Sequence, residues 1–107
     1  MFVIAHLGNP WIRDTAEVVY KNENVYADIS AFCIGHDHQK APRFVVQDIQ
    51  YALEYTNRPD KFLYGSDWPL TSMSNYIRIM KEAIPKEYYE TIFFENANKV
   101  FKLGLEK

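Results

Sequence analysis

A single cysteine, Cys33, stands in the 107 residues, so no disulfide can form within the chain, and a reducing compartment, the cytoplasm, is the expected setting. Basic runs are missing too. Twelve lysines and arginines face fourteen aspartates and glutamates, a net charge of −2 with the signs interspersed. That balance argues against nucleic acid or an anionic membrane as the main partner. No apolar run approaches the ~20 residues a membrane-spanning helix needs. The opening MFVIAHLG lacks the basic leading segment of a signal peptide, and His6 interrupts its short apolar stretch. Glycine is scarce, at four residues. Neither G-x-G-x-x-G nor G-x-x-x-x-G-K-[ST] occurs, which weighs against a nucleotide-binding domain.

What is present is bulk for a core. Apolar residues make up 48% of the chain and aromatics 16%, the composition of one small globular domain rather than a disordered segment. Three runs read as strands: Phe2–Leu7, Asn24–Ser30 and Lys61–Ser66. Each is rich in β-branched or aromatic side chains and bounded by Gly, Asn, Pro or Ser. Helical patterns fill the gaps. Asn9 and Pro10 offer an N-cap and first helical position, with Ile12, Ala16 and Val19 on one face. After a polar loop over 35–41, Pro42 opens a helix with a stripe of Val45 or Val46, Ile49 and Ala52 or Leu53, ending before Pro59. Met73, Tyr76 or Ile77, Met80 and Ile84 recur at helical spacing up to Pro85. Two short helices follow, over 86–94 and 96–103, with Gly104 as C-cap candidate. The order β-α-β-α-β-α-α implies parallel strands joined by crossovers, with helices covering at least one face.

In such folds functional residues gather at the carboxyl ends of strands, where His6, Ser30 and Asp67 all stand. His6 is a candidate metal ligand or proton carrier, against a core histidine bonded to a carbonyl. Asp67 follows the apolar run Phe62–Tyr64, and bare burial of a carboxylate costs too much. It therefore caps the next helix, in rivalry with Thr71 and Ser72, or binds a divalent cation and its water. Ser30 lacks a G-x-S-x-G setting and reads as a hydrogen-bonding or structural residue. His36 and His38, in GHDH, have metal-ligand spacing but sit in a polar stretch. A solvated loop is their plain reading, and substrate contact the other.

The segments FVIAHLG, NVYADIS, FLYGSDWP and ENANKVFKL, taken in order over residues 2–103, resemble the last three β/α units of the amidohydrolase-related family (the amidohydrolase 2 group). These are metal-dependent hydrolases and decarboxylases on a (β/α)₈ barrel. The resemblance implies an α/β fold, a partial TIM barrel of three parallel strands with flanking helices, as the C-terminal portion over residues 1–107. It implies a divalent metal, Zn²⁺ by preference, and hydrolysis of a small carbonyl- or carboxylate-bearing substrate through a metal-activated water. Carried onto this sequence, Asp67 becomes the metal ligand and His6 the proton-transfer or polarising residue. Trp11 and Trp68 become candidate pocket walls, with His36 and His38 as lesser substrate contacts. Asn96-Ala97 matches a structural helix signature.

The family's first-strand His-x-His and mid-strand His or modified Lys have no counterpart here. Three strands also fall short of the eight in a barrel of ~250 residues. The chain is therefore expected to be an incomplete barrel, inactive by itself. The alternative is a non-catalytic module stable as a homo-oligomer through its open sheet edges.

Overall fold

The computed structural model describes residues 1–32 and 40–106. Strands β1 (Phe2–Ile4), β2 (Val25–Asp28) and β3 (Phe62–Leu63) form one sheet in the order β1-β2-β3. Both pairings are parallel, with Ile4 opposite Ala27 and Ala27 opposite Phe62. The helices are α1 (Ile12–Lys21), α2 (Arg43–Thr56), α3 (Met73–Ala83) and α4 (Asn96–Val100). The chain alternates strand and helix, as the hydrophobic patterning requires.

Register divides the sheet into two faces, because side chains alternate along a strand. Val25, Ala27 and Ile29 of the second strand run, with Phe62, belong to one buried cluster with Ile12, Val19, Val45, Ile49, Tyr76, Ile79 and Met80 from the helices. Val3, Tyr26, Asp28 and Leu63 fall on the other face and lie outside that cluster. The strands read as continuous apolar runs for this reason: one face meets helices, and the other is the face a closed barrel would turn inward.

Several boundaries move relative to the sequence reading. Asn9 is not the cap of α1, and Pro10 is not its first residue. The N-cap is Trp11, whose N–H bonds Gly8 O at 2.8 Å, and helical geometry begins at Ile12. The cause is the preceding turn, Ala5–Gly8, in which His6, Leu7 and Gly8 are all left-handed at φ 57°, 52° and 67°. A Cβ on Gly8 would lie 1.8 Å from Thr15 Oγ1, so only glycine lets this turn pack against α1. The same turn ends β1 at Ile4, short of the strand expected to run to Leu7.

Met73 is exposed, and the buried face of α3 is Tyr76, Ile79, Met80 and Ala83. Residues 86–94 form a 3₁₀ turn (Lys86–Tyr88) followed by a π-helical turn (Thr91–Glu95) that runs into α4. That helix stops at Val100 rather than at residue 103. The Asn98 side chain bonds both Leu105 N and Leu105 O at 2.9 Å and folds the chain end back. No helix among the described residues is long and apolar enough to cross a membrane.

Candidate functional site

The exits of all three strands carry a non-glycine residue in the left-handed region: His6 after β1, Ala31 after β2 and Asp67 after β3, the last at φ 64°. Each such residue costs on the order of 1–2 kcal/mol, and backbone strain of this kind clusters at functional sites. At one end of the sheet the chain holds energetically unfavourable turns, and the polar side chains collect there.

His6 and the end of β2 form one hydrogen-bonded unit. Asp28 Oδ1 accepts from His6 N–H at 2.9 Å, from Ser30 N–H at 3.1 Å and from the Ser30 hydroxyl at 2.7 Å. His6 Nδ1 lies 2.9 Å from Ser30 Oγ and 3.3 Å from Ser30 O. Ser30 is buried, Asp28 half-buried and His6 exposed. Ser30 thus has the hydrogen-bonding role expected of it, and His6 is not a core histidine. Gly65 stands next to this unit: a Cβ there would touch Ser30 Cβ at 3.4 Å. The end of β2 is also anchored from the helix side. The Tyr76 hydroxyl donates to Ile29 O and accepts from Phe32 N–H at 3.1 Å.

Asp67 lies in the turn beyond β3, which is two strand spacings, about 10 Å, across the sheet from β1. Asp67 is not a helix cap. Ser72 takes that place, its Oγ accepting from Asn75 N–H at 3.5 Å, while Thr71 Oγ1 donates to Ser66 O within the turn. The Asp67 carboxylate is half-buried and makes no hydrogen bond or ion pair among the described residues. Trp11 and Trp68 adjoin the two exits and are 67% and 66% exposed. His36 and His38 lie outside the described residues. Asp28 was the residue the sequence reading passed over. Its signal was a carboxylate two positions before Ser30 on the same strand face. A cleft of about 300 Å³, between the end of α2 and the Lys86–Tyr88 turn, lies at the other end of the sheet, and its carboxylates are Glu54 and Glu87.

A metal centre is only partly provided for. No group of three or more His, Cys, Asp or Glu able to hold an ion occurs among the described residues. The Asp28 carboxyl already receives three donors through one oxygen. Asp67, a carboxylate without a partner among the described residues, fits as one ligand. A catalytic zinc site takes about three protein ligands, so the described residues do not make one by themselves.

The model of the family described as amidohydrolase matches residues 1–103. The chain belongs to the amidohydrolase family. No curated protein matches it by sequence. Among solved structures it is similar to an amidohydrolase from Burkholderia multivorans with bound zinc, at TM-score 0.68 and 18% identity, covering 94% of this chain and 43% of that one. It is also similar to a protein of Pseudomonas putida named as a candidate 2-pyrone-4,6-dicarboxylic acid hydrolase, at TM-score 0.63 and 21% identity, covering 97% and 44%. These likenesses agree with the topology: three parallel strands with flanking helices, the arrangement of a partial (β/α)₈ barrel. This amidohydrolase chain spans less than half the length of those relatives.

Proposed function

We propose that this chain forms the last three β/α units of a metal-dependent hydrolase that acts on a small carbonyl- or carboxylate-bearing molecule. Decarboxylation in the same barrel mouth is the alternative reaction. The observation that carries the reading is Asp67: a half-buried carboxylate beyond an apolar strand, on left-handed backbone, with no partner among the described residues. Such a group has to meet water or a cation. Family membership and the zinc of the Burkholderia relative favour a divalent cation, Zn²⁺ by preference. A bound ion would supply Lewis acidity and activate water near neutral pH.

In this reading Asp67 would be one of the residues that hold the ion, and its carboxylate would accept a proton from the attacking water. His6, fixed to the end of β2, polarises the substrate or carries that proton onward. Trp11 and Trp68 wall the pocket and exclude water from it. The remaining ligands come from outside the described residues. The test is Asp67→Asn in the intact protein: turnover falls at least about 100-fold, the scale of a lost general base, and bound metal falls with it. Unchanged turnover ends the proposal.

A second reading is a non-catalytic module stable as an oligomer. It is favoured by the sheet edges, since β1 and β3 each pair only with β2 among the described residues. Sedimentation and metal analysis of the 107-residue chain test it: a monomer with stoichiometric zinc excludes it.

A further inference from the structure

Counting hydrogens in the unit at the β1 and β2 exits decides more than its distances alone. The Ser30 hydroxyl carries one hydrogen, and that hydrogen points to Asp28 Oδ1 at 2.7 Å. Ser30 Oγ therefore faces His6 Nδ1 with lone pairs only. The second atom near Nδ1, the Ser30 carbonyl oxygen at 3.3 Å, has no hydrogen to give. Two acceptors converge on one ring nitrogen, and a bare nitrogen facing them would be repelled by both. We infer that Asp28 and Ser30 are positioning residues that hold neutral His6 as the Nδ1–H tautomer and leave the lone pair on Nε2.

Asp28 sets the polarity of the chain. Its Oδ1 accepts from the Ser30 hydroxyl, and it also accepts from His6 N–H at 2.9 Å and so clamps the left-handed residue whose ring is being oriented. In histidines of metal and acid–base sites, the bond made by one nitrogen decides which nitrogen is free to react. Here that bond runs through a serine to a carboxylate on the neighbouring strand. Its consequence for catalysis rests on the role proposed for His6; the tautomer itself does not.

The test is the ¹⁵N imidazole spectrum of the labelled 107-residue chain, recorded on the alkaline plateau where the His6 shifts no longer change with pH. The His6 signals are assigned by their loss in His6→Gln. The expected result is a clear majority of Nδ1–H. Ser30→Ala is expected to shift the tautomer ratio about fivefold toward Nε2–H, the equivalent of about 1 kcal/mol for one net hydrogen bond. Asp28→Ala, which frees the hydroxyl hydrogen to turn toward the ring, shifts it the same way. Equal tautomers or an Nε2–H majority in the wild-type chain overturn the inference, as does a Ser30→Ala ratio equal to wild type. Because the readout is not turnover, a failure here leaves the Asp67 experiment standing, and the reverse also holds.

Discussion

At the amino-terminal end of the sheet, polar groups both buried and exposed meet partners aimed at them. Lys61 is 1% exposed, and its ammonium donates to Val19 O at 3.1 Å and Asn22 O at 2.6 Å, tying off the end of α1. Burial pushes its pKa down. Asn96 donates to Pro59 O and Phe62 O, both at 2.8 Å, and fixes α4 to the entry of β3. Arg58 grips Asp60 through two nitrogens at 3.0 Å and Glu23 through a third at 2.9 Å. At the carboxyl-terminal end, three exits sit on left-handed backbone, two tryptophans are exposed, and the Asp67 carboxylate stands without a partner among the described residues. One end is built to hold the fold and the other to present groups, as in barrels whose chemistry lies at the carboxyl face.

The sharpest way to break that contrast is to remove Lys61. Lys61→Ala leaves two carbonyls at the end of α1 without their donor and an empty slot for a buried stem. It is expected to cost about 3 kcal/mol in urea denaturation. A loss under about 1 kcal/mol would mean that the amino end is not the anchored one.

Gly8→Ala carries the test to the carboxyl end. The added methyl meets Thr15 Oγ1 in a left-handed turn, for an expected loss of about 2–3 kcal/mol. Adding Thr15→Ala removes the Oγ1 contact and should recover about half, because the backbone term and a 3.1 Å approach to the remaining Cβ persist. No recovery would place the whole cost in the backbone.

A smaller effect separates surface charge from buried anchoring. Arg58, first by its hydrogen bonds, holds the Asp60 carboxyl below the usual carboxylate range. A depressed folded-state pKa contributes stability that is present above the unfolded value, near 3.9, and is lost as pH falls through the folded one. Asp60→Asn should therefore flatten the acid limb of the stability–pH curve, by no more than about 1 kcal/mol for an exposed pair. An unchanged acid limb would remove Asp60 from the anchoring set.

Smallest of all is the expected stability change in Asp67→Asn, within about 0.5 kcal/mol, since that carboxylate has no hydrogen bond or ion pair to lose among the described residues. A loss above about 1.5 kcal/mol would show Asp67 to be structural and would blur the division between the two ends.

Local patterns carried much of this into the sequence. The stripe of Val45 or Val46, Ile49 and Ala52 or Leu53, and a stop before Pro59, were legible because helix period and proline's effect are local; that the stop falls at Asn57, left-handed at φ 50°, came from the structure. So was the position of Asp67 beyond an apolar run. The phase of α3 was only half legible: an apolar Met73 at helical spacing says nothing about whether the sheet reaches that far. Ser72, Thr71 and Asp67 were rival candidates for one cap, and the choice depended on how the turn folded.

By itself, then, the order of residues determined three strands alternating with helices, and it placed His6, Ser30 and Asp67 at strand exits. Periodicity and turn chemistry act over a few residues, and those few residues are adjacent in the chain. Only the tertiary structure decided that Asp28 and Ser30 grip His6 across more than twenty residues, that Gly8 is required by Thr15, and that Lys61 closes α1. Those contacts depend on strand register and helix docking, which arise from burying one face of the sheet as a whole.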